Sequence, residues 1–260
     1  MPGLIQSIER SSAVLRLLAA VPDRLRVKEI ADALDLPKST AHGILRTLEH
    51  VGFVEQDPLT SRYRLGSGLL DLGGNERGEG VLDVNELRGR ALTWADALAA
   101  RSGEEVRIGA LRDDRVLVVH HVFRPDDSAQ SMETGRLLPA HATALGKVLL
   151  AYDVTATRSV MAAGLEPYTR RSLTTRPDLA RSLTETRARG WGLSVEEREP
   201  GRAGIAAPVR AIGGLVVGAI GISGPVERLC DTRRQARPAL VEHVTAAARS
   251  ISRDLAGPRR

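Results

Sequence analysis

The chain has a single cysteine, Cys230, so neither an internal disulfide nor a thiolate metal cluster can form. That excludes a small disulfide-held scaffold and fits a reducing compartment. Aromatic residues make up only 3% of the sequence, which leaves the core to Leu, Val, Ile and Ala. Lysine occurs only as Lys28, Lys38 and Lys147. No apolar run approaches the ~18 residues that a membrane helix needs. The most apolar stretch, Ile212 to Ile222, is short and broken by glycines. The opening MPGLIQSIERSS lacks the basic-then-apolar order of a secretion signal. Together these absences predict a cytoplasmic chain with no membrane partner. There is also no nucleophile with its base at a recognisable spacing, no phosphate-cradling glycine loop and no metal-ligand cluster. An enzyme, a cofactor and a metal are therefore not expected.

What remains is a soluble globular composition, 42% hydrophobic and 27% charged, in 260 residues, enough for two domains. The net charge of +5 suggests nucleic acid, but its distribution matters more than its size. Residues 1–78 hold ten basic and ten acidic side chains, so the excess (27 − 22) lies wholly in the remainder. Local arrangement, and not bulk basicity, has to carry any nucleic-acid reading.

Such an arrangement occurs in RVKEIADALDLPKSTAHGILRTLE, residues 26–49. Ile30, Ala31 and Leu34 repeat at helical spacing, then Ala41, Ile44, Leu45 and Leu48 do so again. Between the two patterns, Asp35 favours a turn and Pro37 suits the start of a helix. This is the grammar of a helix-turn-helix. With the apolar positions of the second helix committed inward, Lys38, Ser39, His42, Gly43 and Arg46 form an outward polar stripe, with Thr40 beside it. A helix entering the DNA major groove needs such a stripe: short hydroxyls, a small residue and cationic ends. An ordinary solvated helix face is the alternative. The start of the first helix, Arg26 to Glu29, lacks the usual N-cap residue.

The flanks favour the first reading. A helix over about Gln6–Ala20, with Ile8, Leu15 and Leu18 on one face, would complete a three-helix unit and leave a second face for a partner chain. After residue 49 the period changes to 2, and Phe53–Gln56 and Arg62–Leu65 read as two strands turned at Asp57-Pro58. Tyr63 and Leu65 share one side; Arg62 and Arg64 share the other, placed for phosphate or minor-groove contact or simply solvated. For DNA contact, Glu9, Asp32 and Glu55 have to point away from the groove while Lys38, Arg46, Arg62 and Arg64 point in. A basic hairpin directly after a recognition helix is a wing. A winged-helix protein-interaction module with no DNA target is the rival reading.

Residues 66–80 contain six glycines around Asn75-Glu76-Arg77, and the domain boundary is placed there, between 78 and 79. They could act as a hinge or as a plain linker. A helix is predicted over about Val84–Arg101, a hairpin over 104–123, and helices over about Ala142–Tyr152, Ala156–Ala163 and Pro177–Arg189. Strands follow at Gly192–Glu196, Ile205–Arg210 and Leu215–Ser223, the last two joined at Gly213-Gly214, before a final helix over about Pro238–Leu255. Strand and helix blocks in this order suit an α+β domain with helices packed on an antiparallel sheet.

IQSIERSSAVLRLLAA, EIADALDLPKSTAHGILRTLEHVGFVEQ and RYRLG, followed by LPAHATALGKVLLA, ARGWGLSVEE, GIAAPV and VVGAIGISGP, resemble the IclR family of bacterial transcriptional regulators over nearly the whole chain. Within it, AHGILRT, HHVFRPDD and ERLC are most similar to regulators of glycerol operons. The resemblance implies a winged helix-turn-helix domain (1–78) joined by a linker helix to a GAF-like effector-binding domain (79–260). It implies a homodimer or homotetramer, acting as a repressor on double-stranded operator DNA under control of a small anion such as glycerol 3-phosphate. By resemblance, Ala144, Leu145 and Gly146 form one wall of the effector pocket, Gly204 a second, and Gly221 and Ser223 a third, with Glu196 or Glu197 near the rim. Gly43 stands where the family often has a larger, basic residue, through either close approach to DNA or packing. PAHATALGK enters a helix whose first-turn N–H groups suit an anion. His141 reads as a packing residue or a ligand contact, and Arg124 as an anion partner or a solvated side chain beside Asp126 and Asp127. His120 and His121, adjacent on a strand, must face opposite sides.

Overall fold

The computed structural model describes residues 5–21, 24–57, 60–66, 68–69, 84–126 and 130–256. The chain divides into two compact units, Met1–Val81 with Ala211–Leu215, and Leu82–Arg210 with Val216–Arg260. The boundary expected between 78 and 79, and residues 70–83 around it, lie outside the described residues. Among the described residues no helix is long and apolar enough to cross a membrane.

The N-terminal unit consists of α1 (Gln6–Ala20), β1 (Leu25–Arg26), α2 (Val27–Ala33), α3 (Lys38–His50), β2 (Val54–Gln56) and β3 (Arg62–Leu65). Its core joins Val14 and Leu18 of α1 to Ile30, Leu45, Leu48, Val54, Tyr63 and Leu65. The face expected for α1 needs correction: Val14 is fully buried, whereas Ile8 is 60% exposed. α2 starts without a side-chain N-cap, but the Arg26 N–H donates to Glu29 Oε2 at 2.6 Å, which satisfies one orphan donor. Asp35 adopts φ 50° and turns the chain into α3. Pro37 occupies the N-cap position, one residue before the helix. The small sheet is antiparallel in the order β1-β3-β2, so the wing has a third strand that the sequence pattern does not announce. Two residues are too few to show a period, and Leu25 and Arg26 are held by pairing with Tyr63 and Arg62.

The C-terminal unit is built on a six-stranded antiparallel sheet in the order β6-β5-β4-β9-β8-β7. These strands are β4 (Glu105–Arg112), β5 (Arg115–Val122), β6 (Leu137–Pro139), β7 (Gly192–Val195), β8 (Arg202–Arg210) and β9 (Val216–Pro225). Its helices are α4 (Val84–Ser102), α5 (Ala144–Tyr152), α6 (Val154–Ala163), α7 (Arg176–Arg189), the short α8 (Val226–Leu229) and α9 (Pro238–Ala256). β6 and α8 are further short elements that the sequence period does not reveal.

Two apolar layers form, one on each face of this sheet. Leu87, Ala91, Ala95 and Leu98 of α4 pack with Val244, Ala248 and Ile251 of α9 against Ile108, Ile205 and Ile220. On the other face Leu145, Val148 and Leu149 of α5 and Leu179 and Leu183 of α7 cover Val118, Ala206 and Ala219. α5 approaches closely because position 146 is glycine: a Cβ there would lie 2.1 Å from the Ala140 carbonyl oxygen. Thr143 caps the helix through its hydroxyl, which accepts the Gly146 N–H at 3.2 Å.

Candidate functional sites

The first candidate lies on α3. Ala41, Leu45 and Leu48 are buried, and Lys38, Ser39, His42, Gly43 and Arg46 are exposed, with Thr40 intermediate. The stripe therefore faces outward as a unit. The N–H groups of Lys38, Ser39 and Thr40 have no acceptor among the described residues, because Pro37 offers no side-chain cap. Three free donors at the positive end of a thirteen-residue helix suit a phosphate oxygen. A Cβ added at Gly43 would meet nothing within 4 Å, so packing inside the domain does not require glycine there.

The wing arginines differ from expectation. Arg64 sits opposite Glu55 in the β2–β3 register and pairs with it at 2.6 Å, with both side chains largely buried. Arg62 donates to the Arg24 carbonyl at 2.6 Å and lies 3.5 Å from Glu29. Neither presents an unengaged charge, and Glu55 lies on the same face as Arg64, not the opposite one. Cross-strand pairing is the reason: residues that oppose each other share a face, so Glu55 and Arg64 meet.

The second candidate is a cavity in the C-terminal unit between the start of α5 and the β8–β9 hairpin. Its empty volume is about 550 Å³ including its open mouth. Of the residues expected around an effector, Ala144, Leu145, Gly204, Gly221 and Ser223 line it. Gly204 and Gly221 keep the floor low, since a Cβ at 221 would lie 2.6 Å from the Ile205 carbonyl oxygen.

Gly146 and Glu196 lie outside this lining. Gly146 is instead the packing contact of α5 described above. Glu196, at φ 56°, accepts the Gly201 N–H at 2.9 Å and pairs with Arg171 and Arg234. Hydrogen bonding from Arg234, with the Gly201 N–H and the nearby cations, holds its carboxyl below the usual range. Glu197 is buried and bonds Lys147 at 2.6 Å. His141 is buried, with Nε2 2.9 Å from the Glu166 carbonyl oxygen and its ring near Tyr168. Arg124 is mostly buried against Asp126 at 2.5 Å and is not a solvated side chain.

Sequence reasoning missed the charged part of this cavity. Arg107, Arg198 and Arg202 line it together with Thr143, Ser194 and Glu199. Three arginines and one carboxylate line it, and two further carboxylates paired to those arginines bring the formal charge of the cluster to zero. Behind them stand Glu105, which pairs with Arg107 at 2.9 Å and with Arg202, and Glu133, 2.6 Å from Arg107 and 3.4 Å from Arg198.

Burial alone would raise the Glu105 pKa, but His121, Arg107 and Arg202 outweigh it and hold the group at about 2. His121 is buried with Nε2 3.5 Å from Glu105, while Nδ1 accepts the Glu133 N–H at 3.3 Å. That acceptor role leaves the proton of a neutral ring on Nε2, facing the carboxylate. The N–H groups of Ala144 and Leu145, at the first turn of α5, have no acceptor among the described residues. Guanidinium groups and the free N–H groups of a helix N-terminus thus meet at one cavity, donors of the kind that a small anion accepts from.

Comparison with known proteins bears on both sites. Residues 7–58 match the IclR helix-turn-helix domain, and residues 79–253 match the model described as bacterial transcriptional regulator IclR C-terminal. The chain is 51% identical over 255 residues to the glycerol operon regulatory protein of Streptomyces coelicolor, covering 98% of each. Among solved structures, a transcriptional regulator of Alicyclobacillus acidocaldarius is 29% identical with a TM-score of 0.58, covering 97% of this chain and 99% of that one. An IclR homolog from Microbacterium hydrocarbonoxydans, complexed with 4-hydroxybenzoate, is 25% identical with a TM-score of 0.60, covering 96% and 99%.

Proposed function

The chain belongs to the IclR family of bacterial transcriptional regulators, and from that membership we propose that it represses a catabolic operon of the glycerol type, its operator affinity set by a small anionic metabolite. Membership makes it a DNA-binding regulator and removes the alternative of a winged-helix module with no DNA target. In this reading residues 1–78 read the operator and residues 79–260 bind the effector and assemble the subunits. The outward stripe of α3 supplies Lys38, Ser39, Thr40, His42 and Arg46 to bases and phosphates. Arg62 and Arg64 act from the wing only by exchanging their present carboxylate and carbonyl partners for DNA.

The observation that carries the effector assignment is the set Arg107, Arg198 and Arg202 around one cavity with a single lining carboxylate. Glycerol 3-phosphate fits this chemistry: two guanidinium groups can each take a phosphate edge, and Thr143 and Ser194 offer hydroxyls to the polyol. The name of the Streptomyces coelicolor relative and the carboxylate held by the Microbacterium homolog support a small anion of this kind.

Capture of binding sites from random duplex DNA, with and without candidate metabolites, tests the regulator reading. Calorimetry with glycerol 3-phosphate, glycerol and short carboxylates tests the effector: heat with the phosphate that is lost in Arg202→Ala is expected, and no heat with any of them rejects the assignment. Arg46→Ala and Ser39→Ala are each expected to weaken operator binding by about 1–3 kcal/mol. Equal losses on operator and random duplex would reassign them to phosphate contact.

A further inference from the structure

The charged side chains of the cavity at the start of α5 form a closed ring. Arg107 pairs with Glu105 at 2.9 Å and with Glu133 at 2.6 Å. Glu105 also pairs with Arg202, and Glu133 lies 3.4 Å from Arg198. Glu199 completes the circuit, with Oε1 3.4 Å from Arg198 Nη2 and Oε2 3.5 Å from Arg202 Nε. Cation and carboxylate therefore alternate through six side chains, and each carboxylate bridges two of the three arginines that line the cavity. An anion that takes Arg198 and Arg202 together has to take the place of the carboxylate between them, Glu199.

The three carboxylates are not equally held. The Glu105 and Glu133 side chains are 10% and 9% exposed, whereas that of Glu199 is 49% exposed. Glu105 and Glu133 each have a third partner, His121 Nε2 at 3.5 Å and Arg136 at 3.5 Å. Glu199 has no third partner among the described residues, and both of its contacts are longer than the roughly 2.7–2.9 Å of a strong charge-assisted hydrogen bond. Releasing Glu105 or Glu133 would strand a buried carboxylate. Releasing Glu199 returns a half-exposed carboxylate to water, and pairs of that kind contribute little. The backbone beneath it is anchored: the Gly201 N–H donates to Glu196 Oε1 at 2.9 Å, the Val226 N–H donates to the Gly201 carbonyl at 2.9 Å, and Ser172 donates to the Glu197 carbonyl at 2.6 Å. Rotation of one side chain, with the turn between β7 and β8 left in place, is enough to open the ring.

We propose that Glu199 is a built-in competitor of the anionic ligand: in the free chain its carboxylate holds the place between Arg198 and Arg202 that the ligand's anionic group takes on binding. This rests on the reading of the cavity as an anion site. While Glu199 occupies that place, only a fraction of the chains is competent to bind, and the apparent dissociation constant rises by the inverse of that fraction. Glu199 thereby sets the concentration at which the ligand is sensed.

The test is calorimetry on the full chain with glycerol 3-phosphate and, separately, with orthophosphate. Glu199→Gln is expected to bind phosphate about five- to tenfold tighter than the native chain. Glu199→Asp keeps the charge at the mouth on a shorter side chain that falls short of both arginines, so it should tighten binding as well; a carboxylate that merely repelled the ligand from a distance would leave Glu199→Asp like the native chain. Glu242→Gln, an exposed position on α9 across the sheet, should leave the affinity unchanged. Tighter orthophosphate binding in Glu199→Gln with no heat from glycerol 3-phosphate in either chain supports the competitor and rejects glycerol 3-phosphate as the effector. Equal affinities in the native and Glu199→Gln chains overturn the competitor while leaving the effector reading intact. Weaker binding in Glu199→Gln would make Glu199 a ligand contact, and a Glu199→Asp chain that matches the native one would make it a distant charge; either result overturns the proposal, as does the absence of binding of both phosphates to Glu199→Gln.

Discussion

At position 43 the chain gives up helix stability without any packing return. Glycine costs a helix interior about 1 kcal/mol relative to alanine, and the space where a Cβ would sit is open. Gly43→Ala is therefore expected to stabilise the N-terminal unit by up to about 1 kcal/mol in denaturant unfolding. If the α3 backbone lies close to DNA in the complex, the same change weakens operator binding; unchanged affinity would reject close approach. Glu105 poses a different residue-scale question. Its pKa of about 2 lies below the ordinary 4.5, so its stabilising contribution is complete above about pH 4.5 and is lost as pH falls toward 2. A shift of that size corresponds to at most about 3–4 kcal/mol. Unfolding measured from pH 7 to pH 2 should show that loss in the native chain and a flatter acid limb in Glu105→Gln.

At the scale of elements, the buried Lys147–Glu197 pair joins α5 to the turn beyond β7. Burial lowers the Lys147 pKa, and the neighbouring Glu197 charge opposes that shift. The same turn is held by Ser172, whose hydroxyl donates to the Glu197 carbonyl at 2.6 Å, and by Thr169, which donates to the Glu196 carbonyl at 2.5 Å. Arg198 and Glu199, the next residues, line the cavity at the start of α5. Lys147→Ala strands a buried carboxylate and is expected to cost about 3–5 kcal/mol in chemical unfolding. Replacing both members, Lys147→Met with Glu197→Leu, should cost less than the alanine change alone. If the double variant is the less stable, the pair contributes net attraction beyond its desolvation cost.

For the whole molecule, the question is assembly. Ile5 and Ile8, at the start of α1, are 64% and 60% exposed, an apolar pair that the unit's own core leaves uncovered. We propose that they contribute to pairing of subunits, and pairing sets the geometry of operator half-sites, spaced by about one helical turn or a multiple of it. Sedimentation equilibrium should show a dimer or tetramer, and Ile8→Asp should shift it toward monomer and lower operator affinity with little change in helix content. A native chain that sediments as a monomer at micromolar concentration would reject this reading.

The helical period by itself determined much of the DNA-reading element. Burying Ala41, Leu45 and Leu48 leaves Lys38, Ser39, His42, Gly43 and Arg46 outside, a consequence of local geometry that needs no tertiary information. The antiparallel sheet with packed helices was legible for the same reason, since strand and helix blocks differ in period. Pairing between distant segments was not legible. Glu55 meets Arg64 only through the β2–β3 register, and β1 exists only because β3 pairs with it. Arg107 on β4 and Arg202 on β8 converge because β9 lies between their strands, with residues from both near Ser223. The charged half of the cavity beside α5 was therefore decided by long-range sheet order, and so was the exclusion of Glu196, whose carboxylate was taken up by Arg171 and Arg234. Local periodicity determines which way a side chain faces; the tertiary structure alone decides what it faces, because partners far apart in sequence meet only after the sheet has formed.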